Sequence, residues 1–230
     1  MRTRNLKTER QRHGWGQVEA AKRLGVSQPY LAMLERGKRR LTPTLARRVV
    51  SVYGLPPAEL PTTDGFTPAK GVGGQYFVEH LSRLGYPGFA YVHPHVKGRH
   101  PGEVLLTALA QESLEGRVAE SLPWLLLRFW DMNSGWLMME AKKFDLQNRL
   151  GFVVSLARQL SERSAQGDRT QALANLQSSL EPSRLAREDY FYRPPRNHHE
   201  REWLSQNRSD EARHWNLLSD LRPDHLQYVE

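Results

Sequence analysis

The sequence predicts an all-α protein with two helical domains, of which the first is strongly basic and the second nearly neutral. Apolar residues recur at three- and four-residue spacing along much of the 230-residue chain, which is the period of amphipathic helices. No alternating strand pattern follows residue 102. We expect a first domain over residues 1–60, a linker rich in Gly, Pro and Thr over 61–75, and a mainly helical interaction or sensor domain over 76–230.

Residues 16–37 predict two short helices joined by a tight turn. Ala20 and Leu24 mark the inner face of the first helix, and Leu31 lies on the inner face of the second. Between them, Gly25 can adopt the positive φ needed just past a helix end, and Ser27 can cap the helix that follows. This pattern is typical of a helix-turn-helix, whose second helix enters the major groove of DNA.

The distribution of charge points to the same end of the chain. Residues 1–50 hold thirteen Lys or Arg against three Glu, a net charge of +10, whereas the remaining residues hold twenty against twenty-two acidic residues, a net charge of −2. A positive field confined to one domain attracts phosphates. The arm with Arg2, Arg4 and Lys7 and the run Lys38-Arg39-Arg40 are expected to flank the second helix of the motif.

Residues 5–60 resemble the phage repressor and Cro group of helix-turn-helix domains, the XRE type of transcriptional regulator. Matching motif positions carry the resemblance: Arg10, Gly14, Gln17, Gly25, Ser27-Gln28, Glu35, Gly37-Lys38 and Gly54-Leu55-Pro56. The resemblance implies a compact five-helix domain that binds an operator in double-stranded DNA.

The resemblance also implies which side chains meet DNA. A phosphate contact is implied for Gln17, at the start of the first helix of the motif. Base contacts are implied on the second, recognition helix for Gln28, Pro29 and Met33. Contacts with the DNA backbone are expected for Tyr30, Arg36, Lys38, Arg39 and Arg40. Arg10 and Glu35 occupy the positions of a structural ion pair between the first and third helices.

The recognition helix departs from the family pattern because Pro29, Ala32 and Met33 stand where polar residues are common. Gln28 is then the one polar side chain of this helix expected to recognise a base strongly, through a bidentate contact with adenine. Met33 can touch a thymine methyl group. One bidentate contact is worth about 1–3 kcal/mol of discrimination, so a single chain discriminates modestly. We therefore expect a homodimer on a two-fold symmetric operator.

The rest of the chain is predicted to form helices separated by short breaks. The expected helical segments are 77–84, 103–112, 115–122, a further helix opening at Pro123, 134–142, 144–160, 170–180, 200–206 and 210–221. Residues 85–100 fit either an irregular arm or a short pair of strands. The apolar stripe Leu146–Leu160 is the clearest amphipathic face, and we expect its burial within its own domain, with a dimer contact as the alternative.

Several classes of protein are disfavoured. The chain has no cysteine, which excludes disulfides, thiolate metal sites and a cysteine nucleophile. No apolar run reaches the ~20 residues of a membrane span, and the N-terminus lacks the apolar core of a signal peptide. We therefore expect a cytoplasmic protein without membrane contact.

The sequence holds no convincing catalytic or cofactor motif. His93-Pro94-His95, His100 and His198-His199 match no metal-ligand spacing, so surface or core packing is the better interpretation. A buried polar network or a salt-bridged helix face explains the triplet Asp145, Asn148 and Arg149. We expect no metal, no cofactor and no enzymatic activity. A DNA-targeted enzyme whose carboxylates are assembled by folding is the remote alternative.

Together these observations predict a sequence-specific DNA-binding transcriptional regulator that represses its own operon. The layout is similar to antitoxins of bacterial toxin–antitoxin pairs, in which the second domain would bind a cognate toxin protein. The alternative is a stand-alone regulator whose second domain dimerises or senses a small ligand.

Overall fold

The computed structural model describes residues 4–227, and the chain divides into two compact units, Met1–Asp64 (unit 1) and Gly65–Glu230 (unit 2). Helices dominate both units, which confirms the predicted all-α fold. Within residues 4–227 the strands are β1 (Asp189–Tyr190) and β2 (Leu217–Leu218), which pair in parallel. No helix in this part of the chain has both the length and the apolar character needed to cross a membrane.

Unit 1 is built from short helices around a leucine-rich core. The described helices are α1 (Arg4–Arg12), α2 (Gln17–Leu24), α3 (Gln28–Glu35) and α4 (Pro43–Val52). Leu6, Leu24, Leu31, Leu34 and Val49, which come from all four helices, are fully buried. The fifth helix implied by the resemblance is only a 3-10 turn over Pro57–Glu59. Pro61 follows shortly after this turn, and a proline disfavours helical backbone at the residue before it, here Leu60, whose ψ is 141°.

The turn between α2 and α3 depends on Gly25. Its φ of 64° is left-handed, and its N–H donates to the carbonyl of Lys22 at 3.1 Å, which closes the end of α2. The Ser27 hydroxyl then accepts a hydrogen bond from the Tyr30 N–H at 3.3 Å and caps α3. Arg48 completes the turn by donating to the carbonyl of Leu24 at 3.0 Å, and it occupies the space that a side chain at Gly25 would need.

Unit 2 packs its helices around one central helix. Its described helices are α5 (Gly74–Leu84), α6 (Pro101–Leu109), α7 (Gly116–Arg128), α8 (Ser134–Lys143), α9 (Gln147–Arg163), α10 (Gly167–Leu180), α11 (His198–Asn207) and α12 (Asp210–His214). The helix α9 contacts α6, α7, α8, α10 and α12. The stripe Leu146–Leu160 is buried inside unit 2, so the alternative of a dimer contact through this stripe is wrong.

Two sequence-based expectations for unit 2 are corrected, and for residues 85–100 the irregular arm rather than the pair of strands is found. Residues 116–128 form one helix, α7, rather than a new helix that starts at Pro123. The reason is that residues 121–127 are buried, so this stretch gains more from packing than it loses at the missing N–H. The last helix stops at His214 rather than Leu221, because Asn216 adopts a left-handed φ of 54°. Residues 85–100 contain a 3-10 turn, Pro87–Phe89, and no strand.

The predicted linker over 61–75 is also corrected in its second half. Phe66 is buried, and its ring packs edge-on against those of Trp136 and Phe144. Gln111 donates to the carbonyl of Ala69 at 2.7 Å and accepts from the Val72 N–H at 3.2 Å. These contacts make residues 65–75 part of unit 2, a result that Gly- and Pro-rich composition does not reveal.

Candidate nucleic-acid interface

A bidentate ion pair between Arg10 and Glu35 joins α1 to the end of α3. The Arg10 Nε atom lies 2.6 Å from Glu35 Oε1, and Nη2 lies 3.1 Å from Oε2. A third guanidinium nitrogen donates to the carbonyl of Trp15 at 2.8 Å. The two side chains are only 10% and 3% exposed, respectively. Such a covered, bidentate pair sets the position of α3 on the rest of unit 1.

Two glutamines extend this ion pair toward the start of the recognition helix. Gln17, the first residue of α2, donates through Nε2 to Glu35 Oε2 at 2.8 Å. Gln28, the first residue of α3, donates through Nε2 to Gln17 Oε1 at 2.7 Å. Arg10, Glu35, Gln17 and Gln28 therefore form one continuous network, defined here as the Arg10–Gln28 network.

The network leaves part of Gln28 available. An amide side chain has two N–H donors and one carbonyl acceptor. Within residues 4–227, only one donor of Gln28 is engaged, so its Oε1 and second N–H remain able to bond a ligand. A bidentate contact with adenine requires this combination of one acceptor and one donor. The arrangement therefore holds an amide with one free acceptor and one free donor at the first turn of α3.

The other predicted positions on α3 differ in how much they present to solvent. Pro29 is exposed in the first turn, where the missing N–H has no intrahelical partner to lose. Tyr30 and Met33 are half-buried, and Tyr30 packs partly against the core of unit 1. Ala32 is buried, so its apolar character serves packing. The exposed, polar part of the recognition helix is consequently small.

A cluster of basic residues follows α3. Arg36, Lys38, Arg39 and Arg40 are all exposed, and none of them forms an ion pair within the described part of the chain. Cations without protein partners are available for phosphate groups, which release condensed counterions when neutralised. In the predicted N-terminal arm, Lys7 is exposed on α1, whereas Arg2 and the side chain of Arg4 lie outside the described residues.

Sequence reasoning missed two elements of this region. The hydrogen bond between Gln17 and Gln28 depends on side-chain rotamers, for which spacing carries no signal. The contact of Arg48 with the end of α2 was likewise unexpected. The pairing of a glycine at a helix end with a basic residue on α4 could have suggested this second contact, since basic side chains bind helix C-terminal carbonyls.

The ion pair makes the stability of unit 1 depend on pH. Burial by itself would raise the pKa of Glu35, but hydrogen bonds from Arg10 and Gln17 and the charge of Arg10 hold this pKa below its ordinary value of 4.5. The same ion pair acts in the opposite direction on Arg10, whose pKa is raised by the hydrogen bond with Glu35. A carboxylate with a lowered pKa contributes stability that is present above the unfolded pKa and is lost as pH falls through the folded pKa.

We therefore expect acid to destabilise unit 1 partly through Glu35. Between about pH 6 and pH 3, the free energy of unfolding of unit 1 should fall less steeply in Glu35→Gln than in the unmodified chain, because the variant has no carboxylate to protonate. Hydrogen exchange of the amides in α1 and α3, measured across this range in the full chain, reports the difference. If the free energy of unfolding fell equally steeply with pH in both proteins, Glu35 would not be a source of the acid sensitivity of unit 1.

Several of the candidate residues outside unit 1 make structural contacts. Asn148 and Arg149 are buried but bond different partners: Asn148 bonds the backbone N–H and carbonyl of Leu185, whereas Arg149 binds Asp189 at 2.8 and 3.0 Å and caps the carbonyl of Leu109. Asp145 is exposed before α9 and does not join them. His100 caps α6 by accepting from the Gly102 N–H. Among residues 4–227, no group of three His, Asp or Glu side chains has a metal-binding arrangement.

Comparison with known proteins agrees with this geometry. A family model described as helix-turn-helix matches residues 6–60, the part of the chain that holds most of α1, all of α2 to α4, the Arg10–Gln28 network and the basic cluster. No curated protein and no solved structure matches the chain. The family match supports a DNA-binding transcriptional regulator with an XRE-type helix-turn-helix in residues 6–60.

Proposed function

We propose that the protein regulates transcription by binding an operator in double-stranded DNA, with α3 in the major groove. The observation that carries this proposal is the Arg10–Gln28 network, which holds the Gln28 amide at the first turn of α3 with the acceptor and donor that a bidentate contact with adenine requires. The exposed cluster Arg36, Lys38, Arg39 and Arg40 supplies sequence-independent attraction to phosphates. Gln17 and Tyr30 are assigned contacts with the DNA backbone, and Pro29 and Met33 lie against bases.

Substitutions in the basic cluster should distinguish residues that only bind phosphates from residues that recognise bases. Lys38→Ala or Arg39→Ala should weaken binding to all duplexes alike and reduce the slope of log affinity against log salt by about one per lost phosphate contact. The physical reason is that each phosphate contact releases about one counterion but carries no sequence information. Fluorescence anisotropy with operator and random duplexes at several salt concentrations measures both effects.

Gln28→Ala should behave differently from the basic-cluster variants. It should reduce affinity for the preferred operator at a cost of about 1–3 kcal/mol while leaving the salt slope and random-duplex affinity nearly unchanged. Gln17→Ala is the comparison: it leaves Gln28 itself but removes both the side chain that holds Gln28 and the proposed backbone contact of Gln17, so it should also weaken binding to random duplexes. An equal loss of affinity for random and operator DNA in Gln28→Ala would show that Gln28 touches the backbone instead.

The proposal includes binding as a homodimer, most directly to the promoter of the protein's own operon. The α3 helix of one chain offers few polar side chains that can recognise bases. Two copies roughly double the free energy by which the operator is preferred over other sequences. Mass measurement of the operator complex should give two chains per duplex. A single chain protecting a single half-site would overturn this part of the proposal.

For unit 2 we infer that it binds a partner protein, as the antitoxin of a toxin–antitoxin pair does in the cytoplasm. The helix α11 supports this, because it has no buried residue and carries Trp203, which is 47% exposed. Aromatic residues of this kind are enriched at protein interfaces. Purification of the full chain from its native cells, followed by identification of any stoichiometric companion, tests the inference. A chain that purifies alone, while still binding DNA, would favour the stand-alone regulator.

A further inference from the structure

Unit 2 contains a cleft between the loop joining α7 to α8 and one face of α10. The cleft has a volume of about 260 Å³. Its floor is formed by buried apolar side chains: Leu126, Phe129, Met132, Leu137, Leu173 and Leu176. An apolar cavity of about 150 Å³ admits benzene, and drug-sized ligands need about 300 Å³ or more. The volume therefore suits a single ring or a short branched chain.

The polar and charged groups of the cleft lie at its rim, and they determine whether the cleft prefers a cationic, anionic or neutral ligand. Trp130 is 37% exposed, and Asp131, Ser134 and Asn175 are exposed around it. Asp131 is the charged side chain of the lining, and it makes no ion pair or hydrogen bond with any residue from 4 to 227. A carboxylate without a partner in residues 4–227, beside a partly exposed indole, is a combination that attracts an organic cation through charge and through the ring quadrupole.

We infer that this cleft binds a small organic ammonium ion whose apolar part lies on the leucine-rich floor and whose charged group lies between Asp131 and Trp130. The inference concerns unit 2 alone and does not depend on DNA binding by unit 1. Such a ligand would make unit 2 a sensor, which is a role compatible with either partner binding or stand-alone regulation.

Two arginines near the cleft define the competing ligand. The Arg128 guanidinium lies 5.7 Å from the centroid of the Phe129 ring but does not line the cleft. Burial and, secondarily, the charge of Arg128 lower the pKa of Arg169, whose enclosed Nε atom has no hydrogen-bond partner in the described chain. If these arginines controlled the cleft, an anion of the same size would be preferred over a cation.

A charge series of equal-sized probes separates the two cases. Isothermal titration calorimetry on the full chain would use benzylammonium, phenylacetate and benzyl alcohol as cation, anion and neutral probe. We expect benzylammonium to bind about two- to fivefold more tightly than either of the others, since a cation over a solvent-exposed indole gains about that factor. Tighter binding of phenylacetate, equal binding of all three, or no measurable binding of benzylammonium would each overturn the inference.

Variants then test the side chains themselves. Asp131→Asn should remove the preference for benzylammonium over benzyl alcohol, and it should fold normally because Asp131 is exposed and unpaired in residues 4–227. Trp130→Leu keeps an apolar wall and should weaken benzylammonium more than benzyl alcohol. Arg128→Gln, which removes a nearby positive charge, should leave benzylammonium affinity unchanged or raise it. Retention of the full cation preference in Asp131→Asn would contradict the assigned role of the carboxylate.

Discussion

Replacing Gly151 by alanine should destabilise unit 2 by about 1–3 kcal/mol, although the same change in most helix interiors is stabilising. Gly151 lies in the central helix α9, and a Cβ atom there would overlap the indole of Trp215, with Cε2 at 2.5 Å. The indole is fully buried and is held by a hydrogen bond from Nε1 to the Ser155 hydroxyl at 2.9 Å. Because backbone and ring are both fixed, neither can move away without cost.

Gly135→Ala is the matched control for this prediction. Gly135 lies in α8, where a Cβ would have an ordinary contact of 3.5 Å with Asn133 Oδ1, so alanine should leave stability unchanged or raise it slightly. Urea unfolding of the full chain, followed by circular dichroism and by hydrogen exchange in α9, measures both variants. Equal stability of the two variants would show that Trp215 does not pack on α9 as described.

Loss of one partner of the Arg10–Glu35 pair should have the largest effect in unit 1. Glu35→Ala should lower its free energy of unfolding by about 3–5 kcal/mol, because the covered Arg10 guanidinium keeps its desolvation cost and loses its counter-charge. The substitution also removes the acceptor that holds Gln17. Hydrogen exchange of the α1 and α3 amides in the full chain reports the loss.

The ion pair between Glu19 and Arg23 provides the control. Both side chains are about half exposed and lie one helical turn apart on α2, at a distance of 2.9 Å. Glu19→Ala should cost no more than about 1 kcal/mol, since exposed pairs are screened by water. If Glu19→Ala and Glu35→Ala destabilise unit 1 to the same degree, the Arg10–Glu35 pair does not anchor α3.

Helix periodicity and capping residues predict much of this fold from sequence. The helix-turn-helix could be predicted because Gly25 and Ser27 act locally, at the ends of their own helices. The start of α8 at Ser134 could be predicted from the adjacent turn and the apolar spacing that follows. These features depend on neighbouring residues and therefore leave a signal in sequence.

The errors arise where distant contacts outweigh local preference. Pro123 is a local helix breaker, yet it lies inside α7 because that segment is enclosed by the rest of unit 2. Phe66 lies in a segment with linker composition, but its ring packs against Trp136, seventy residues away in sequence. The hydrogen bond between Gln17 and Gln28 could not be predicted from sequence either, because residue identity does not fix a side-chain rotamer.

The most direct test of DNA reading by α3 is selection of duplexes from a random pool by the full chain, followed by hydroxyl-radical footprinting on the enriched sequence. The proposal predicts a two-fold symmetric site with half-sites about one helical turn, roughly 34 Å, apart, and an A·T pair in each half-site whose enrichment disappears in Gln28→Ala. An unenriched pool, or a site whose sequence is unchanged in Gln28→Ala, would contradict it.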